Sequence, residues 1–209
     1  MSRYHHTWTP TDADTDGFKN NATGATTPIT PTATEVGDDL AHLVTLTSSA
    51  NLSAITVTIT GTDHAGRALS EAIAGPNNNT VTTTAYFLTV TSIAISATLG
   101  SNEMDIGWAA GCRTPLIPMC AQELNRIVAN KSGTLTYTVS YTPINHSEPS
   151  WNGSAQETLH WVNSQTAALV SATAGAMEEV TGLFGVRITV ASFTATATLS
   201  LIQNGVRPR

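Results

Sequence analysis

Lysine occurs at only two positions of this 209-residue chain, Lys19 and Lys131, and charged residues make up 11% of it. An ordinary soluble domain carries about 25%. With a net charge of -6 and no basic cluster, the chain has no means to neutralise a run of phosphates, so no nucleic-acid partner is expected. Long apolar runs are also missing. No stretch reaches the ~18 residues that a membrane-spanning helix needs. The start, MSRYHHTWTP, has no apolar h-region, so neither a membrane partner nor a secretory signal is expected. Cysteine is limited to Cys112 and Cys120, too few for a disulfide framework and without zinc spacing. They either pair across the intervening loop or stay as free thiols, the state expected in a reducing compartment. Without a signal peptide, the six Asn-x-Ser/Thr sequons carry little weight, because a chain rich in Asn and Thr makes them by chance.

Threonine is what the chain has instead, 36 residues of 209, and it falls where strands alternate. In AITVTITGT, Ile55, Val57 and Ile59 face one way while Thr56, Thr58 and Thr60 face the other. A period of two describes a half-buried strand. The same period recurs in SIAISATLG, TLTYTVSYT, VRITV and FTATATLSLI. Five such segments make the chain all-β. Turn chemistry separates them: Asp63 and Gly66 in TDHAGRA suit a tight hairpin, and GPNNNT at 75–80 suits another reversal.

These segments predict two β-sandwich-like units, of jelly-roll or immunoglobulin-like kind, over residues 36–110 and 131–209. Residues 111–130 read as a linker with two prolines and a short helix near Ala121–Val128. Residues 1–35, rich in Thr, Pro, Asn and Gly, read as an extended N-terminal arm, with a short strand near Tyr4–Thr9, ordered by a neighbouring subunit or by its own domain. QTAALVSATAGAMEEV reads as strand and loop. No internal repeat relates the two units.

The stretch TDADTDG at 11–17 begins like an EF-hand loop, with Asp12, Asp14 and Asp16 alternating before Gly17. The twelfth position, which should hold a bidentate Glu, is Thr23. An acidic turn is the preferred reading, a looser calcium site at these three Asp residues is the weak alternative, and no metal or cofactor is expected. The histidines lack HExxH or paired spacing, and no G-x-S-x-G elbow is present. Glu71, Glu157, Glu178 and Glu179 offer carboxylates for glycoside chemistry, yet nothing in the sequence places two of them in one cleft. Catalysis is therefore not expected. Trp8, Trp108 and Trp161 lie in or beside strand-like runs and suit packing. Trp151, in the polar loop PINHSEPSWNGS, suits an exposed contact. Tyr4, Trp8 and Trp151 are the candidate partner-binding residues.

TGTDHAGRALSEAIAGPNNNTV, then YFLTVTSI, then LGSNEMDIGW, resembles a family of tailed-bacteriophage virion structural proteins. The later TLTYTVSYTP and VRITVASFTATATLSLIQNG are similar to the ends of that family's second β unit, so the likeness covers about residues 38–205. It is a pattern of strand and turn residues and assigns no contact residue. It implies a multi-copy, non-enzymatic protein of the head or head–tail region, assembled in the host cytoplasm. Its partners would be the major capsid protein or other virion proteins, with homo-oligomers. The low charge agrees, since neighbours in a shell cover surface that an isolated protein would keep charged. Three expectations compete: capsid decoration or cement protein, neck or collar protein, and, from another class, a carbohydrate-binding adhesin module.

Overall fold

The computed structural model describes residues 3–24, 28–119, 121–122, 124–144, 161–194 and 196–206. The chain is all-β and sandwich-like, as its alternation predicts. It divides into two compact units, Asp12–Cys112 and Met1–Thr11 with Arg113–Arg209. The first strand, β1 (Arg3–Trp8), belongs to the second of these.

The unit Asp12–Cys112 holds β2 (Asp14–Ala22), β3 (Ala41–Thr47), β4 (Thr56–Asp63), β5 (Ala68–Ala74), β6 (Thr80–Ile95) and most of β7 (Met104–Arg113). The strands run in the order β7-β3-β6-β4-β5, with β2 on β7. β4 carries out the predicted alternation: Val57 and Ile59 are buried and Thr56 and Thr60 exposed. Each such aliphatic side chain contributes about 1.5–3 kcal/mol on burial. The 16 residues of β6 serve two neighbours. Thr80–Phe87 pairs with β3, and Phe87–Ile95 pairs with β4. Glu71 of β5 reaches the register shift within the β3-paired half, where its carboxylate accepts the backbone N–H groups of Thr84 and Ala85 at 2.8 and 2.9 Å. The β4–β5 hairpin turns at Gly66, whose φ of 75° favours glycine. Asp63 Oδ1 accepts from the N–H groups of Ala65 and Arg67 there.

The other unit adds β8 (Ile117–Pro118), β9 (Leu124–Ser132), β10 (Leu135–Thr142), β11 (Val162–Asn163), a 3-10 turn (Ala167–Leu169), β12 (Ala176–Val180), β13 (Gly185–Phe193) and β14 (Thr198–Val206). One sheet has the order β1-β14-β9-β12, and β11-β10-β13 are neighbours with β8 on β13. Leu135, Tyr137 and Val139 of β10, Val186, Ile188 and Val190 of β13, and Leu199 and Leu201 of β14 are buried. The Tyr137 hydroxyl crosses the core and donates to Ala174 O at 2.8 Å.

Two expectations need correction. The N-terminal segment is extended, but β1 and β2 are strands of the chain's own sheets, with Trp8, Phe18 and Ala22 supplying buried anchors. The expected linker at 111–130 holds β8 and the start of β9, with no helix at 124–128. Asn125, Ile127 and Ala129 of β9 face inward, and strands on both sides complete its hydrogen bonds. Pairing of that kind overrides the helical preference of Ala and Leu.

Candidate interaction site

β1 lies along β14 in antiparallel register, Tyr4 opposite Gln203, His6 opposite Leu201 and Trp8 opposite Leu199. Alternation puts Tyr4, His6 and Trp8 on one face. Their rings form a ladder: Tyr4 and His6 stack at 6.3 Å between centroids, and His6 and Trp8 tilt together at 4.6 Å. Trp8 is 2% exposed and Tyr4 36%. Partial burial raises the Tyr4 hydroxyl above its ordinary pKa. On the opposite face, the hydroxyls of Thr7 and Ser200 lie 2.8 Å apart. The structure thus brings Tyr4 and Trp8 together within the chain, Trp8 as an anchor. Trp151 lies outside the described residues, as does Cys120.

The Thr7 side of this four-stranded sheet faces outward. The registers place His5, Ile202, Val128 and Met177 in one row across β1, β14, β9 and β12. Met177 is 54% exposed, Leu124 on the same face is 39% exposed, and Val128 and Ile202 are half-buried. Beside the row, Arg126 and Glu179 form a salt bridge at 2.6 Å. A solvated sheet face ordinarily alternates to polar residues. This one carries an apolar row flanked by one pair of opposite charges. Sequence reasoning missed it, although Val128 stands between Arg126 and Asn130, two residues away on either side.

The acidic stretch has a structural role in the other unit. The Trp108 indole Nε1 donates to Asp12 O at 2.9 Å. A Cβ added at Gly17 would lie 2.1 Å from Trp108 Cζ3, so this position tolerates only glycine against the ring. Phe18 meets Trp108 edge-on at 5.1 Å. Asp14 Oδ1 accepts the Asp16 N–H at 3.1 Å, and the Asn20 amide donates to Asp16 Oδ2. The expected turn is therefore corrected: Asp14, Asp16 and Gly17 lie in β2, which pairs with β7, and the stretch packs around a tryptophan. Among the described residues, no group of three or more His, Cys, Asp or Glu side chains is placed to hold a metal ion.

A carboxylate is held between β10 and β12. Glu178 Oε2 accepts from the Tyr141 hydroxyl at 2.8 Å and Ser164 Oγ at 2.6 Å, and Oε1 accepts from Thr166 Oγ1 at 3.0 Å. Burial, then the hydrogen bond to Glu178 and its charge, raise the Tyr141 hydroxyl far above its ordinary pKa. A cleft of about 140 Å³ opens beside it, lined by Tyr141, Val162, Gln165, Glu178 and Leu183. Glu179 points to the opposite face of β12 and forms no carboxylate pair with Glu178; Glu71 is held by Thr84 and Ala85, and Glu157 lies outside the described residues. The Trp161 ring is capped by Arg187, whose guanidinium carbon lies 4.0 Å from the ring centroid. Cys112 is buried, and burial first, then the charge of Asp38, hold its thiol above the ordinary range. His42 is buried with Nε2 3.0 Å from Asp38 Oδ2 and Nδ1 3.1 Å from Ala109 O.

No family model matches the chain, and no curated protein matches it.

Proposed function

We propose that this chain is a structural component of a tailed-bacteriophage particle, a capsid decoration or cement protein that stabilises the head through subunit–subunit contacts. The observation that carries the reading is the outer face of the β1-β14-β9-β12 sheet. There Leu124, Val128, Met177 and Ile202 stand exposed or half-exposed beside the Arg126–Glu179 pair. Apolar side chains on a solvated face lower the free energy when a neighbour covers them, by about 25 cal/mol per Å² of apolar area removed from water. The low charge of the chain and its likeness to virion proteins support the same reading, in which it catalyses no reaction.

The test is binding to assembled shells that lack the protein. Co-sedimentation is expected for the wild-type chain and is expected to drop at least tenfold for Met177→Glu, which puts a charge in the row without touching the core. Tryptophan fluorescence titrated with a glycan panel is expected to stay flat. A glycan-dependent shift together with no shell binding would replace this reading with the carbohydrate-binding one.

A further inference from the structure

We propose that β1 is an exchangeable strand: in an oligomer, Arg3–Trp8 of one copy adds to β14 of a second copy in the register it holds within its own chain. The inference rests on the proposed multi-copy role and names how the copies are joined. The occupant and its seat are both visible. β14 presents an edge that takes six residues in continuous register from Arg3↔Asn204 to Trp8↔Leu199. Trp8 is enclosed and fixes that register, with His6 and Tyr4 stacked behind it. Among the described residues β1 pairs with no strand other than β14.

The connection to the rest of the chain permits the exchange. Thr9–Ala13 joins β1 to β2 without regular structure and contains Pro10. Proline disfavours the helical region for the preceding Thr9 and biases the hinge toward an extended path. A short hinge that resists folding back favours exchange between copies. Every β1–β14 contact is the same within a chain and between chains. The balance is then set by hinge strain against the concentration of neighbours. A multi-copy particle holds neighbours at high local concentration, which favours the exchanged form.

The hydroxyls of Thr7 and Ser200, 2.8 Å apart, give the test, because paired cysteines at such positions meet disulfide geometry. All variants carry Cys120→Ser; Cys112 is retained because its buried thiol does not compete. Thr7→Cys and Ser200→Cys are made on separate chains, coexpressed, purified at concentrations up to the millimolar range and oxidised. The expected result is a disulfide-linked dimer whose peptide map joins position 7 of one chain to position 200 of the other. The double variant, both changes on one chain, shows that the pair can close. If it closes while the coexpressed single variants give no 7–200 link at any concentration, exchange is overturned and the assembly reading stands. If the double variant gives no link either, the register beneath the proposal is wrong and the proposal falls with it.

Discussion

Residues 12–112 and residues 113–209 build their β units by different routes. The first completes itself from nearby sequence. Its hairpin at Gly66 joins adjacent strands, and its longest strand, β6, serves β3 and β4 in turn. Its Trp108 is enclosed by Asp12 and by β2, which belong to the same unit. The second unit recruits β1 from the far end of the chain, so Thr7 meets Ser200 across 193 positions. It also leaves an apolar row on its outward face. Local completion makes a self-sufficient unit. Distant completion leaves an edge whose partner strand is held by one seam and a short hinge, and an edge of that kind suits assembly.

The largest expected effect breaks the comparison at its seam. Trp8→Ala is expected to cost about 3–5 kcal/mol, the range for truncating a buried aromatic. Hydrogen exchange should speed up along β14 and β9 while β3, β4 and β6 keep their protection. Equal loss in both units would show that they are not separable in this way. Next comes Gly17→Ala in the other unit. Its Cβ would press on the Trp108 ring at 2.1 Å, and overpacking of this kind costs about 1–3 kcal/mol. Urea unfolding followed by tryptophan fluorescence reads it, and an unchanged midpoint would remove Gly17 from the packing account.

Tyr141→Phe sharpens the contrast at the Glu178 site. At neutral pH it is expected to cost about 1 kcal/mol, because Glu178 loses one of its three hydroxyl donors. The pH dependence has a definite sign. Tyr141 has a raised pKa in the folded chain, so the protonated hydroxyl is favoured there. Its contribution is full below the unfolded tyrosine pKa of about 10 and is lost as pH rises above it. Thermal melting of the wild-type chain should therefore fall above about pH 10, and less steeply in Tyr141→Phe. Parallel curves for the two would contradict the assignment. The smallest effect is expected from Asp14→Ala, about 0.5–1 kcal/mol for one turn hydrogen bond. Isothermal titration with calcium should give no binding heat in either chain, and a heat lost on substitution would restore the metal reading of the loop.

What was legible in the sequence was local. Alternation at Val57 and Ile59 located β4, and Asp63 with Gly66 located its turn, because both signals lie within a few residues of what they describe. The role of β1 was hidden because its partner strand is at the opposite end of the chain and no local signal links them. β9 was obscured by Leu124 and Ala129, whose helical preference is overruled only by strands on both sides. The Glu178 site gathers hydroxyls from β10, from the segment after β11 and from Thr166, which no spacing rule joins. One hint was available: in AMEEV, alternation that turns Met177 and Glu179 outward turns Glu178 inward, and a carboxylate facing a core needs donors. The acidic stretch was expected to be a turn, but residues 14–17 belong to β2, and their packing around Trp108 needed coordinates.

The proposed role is tested most directly by the copy number of this chain in purified particles, measured by quantitative mass spectrometry against the major capsid protein. A decoration protein is expected at hundreds of copies per particle, set by the lattice it covers. About a dozen copies would place it in a closed ring at the neck and contradict the decoration reading. Its absence from particles would contradict the virion role altogether.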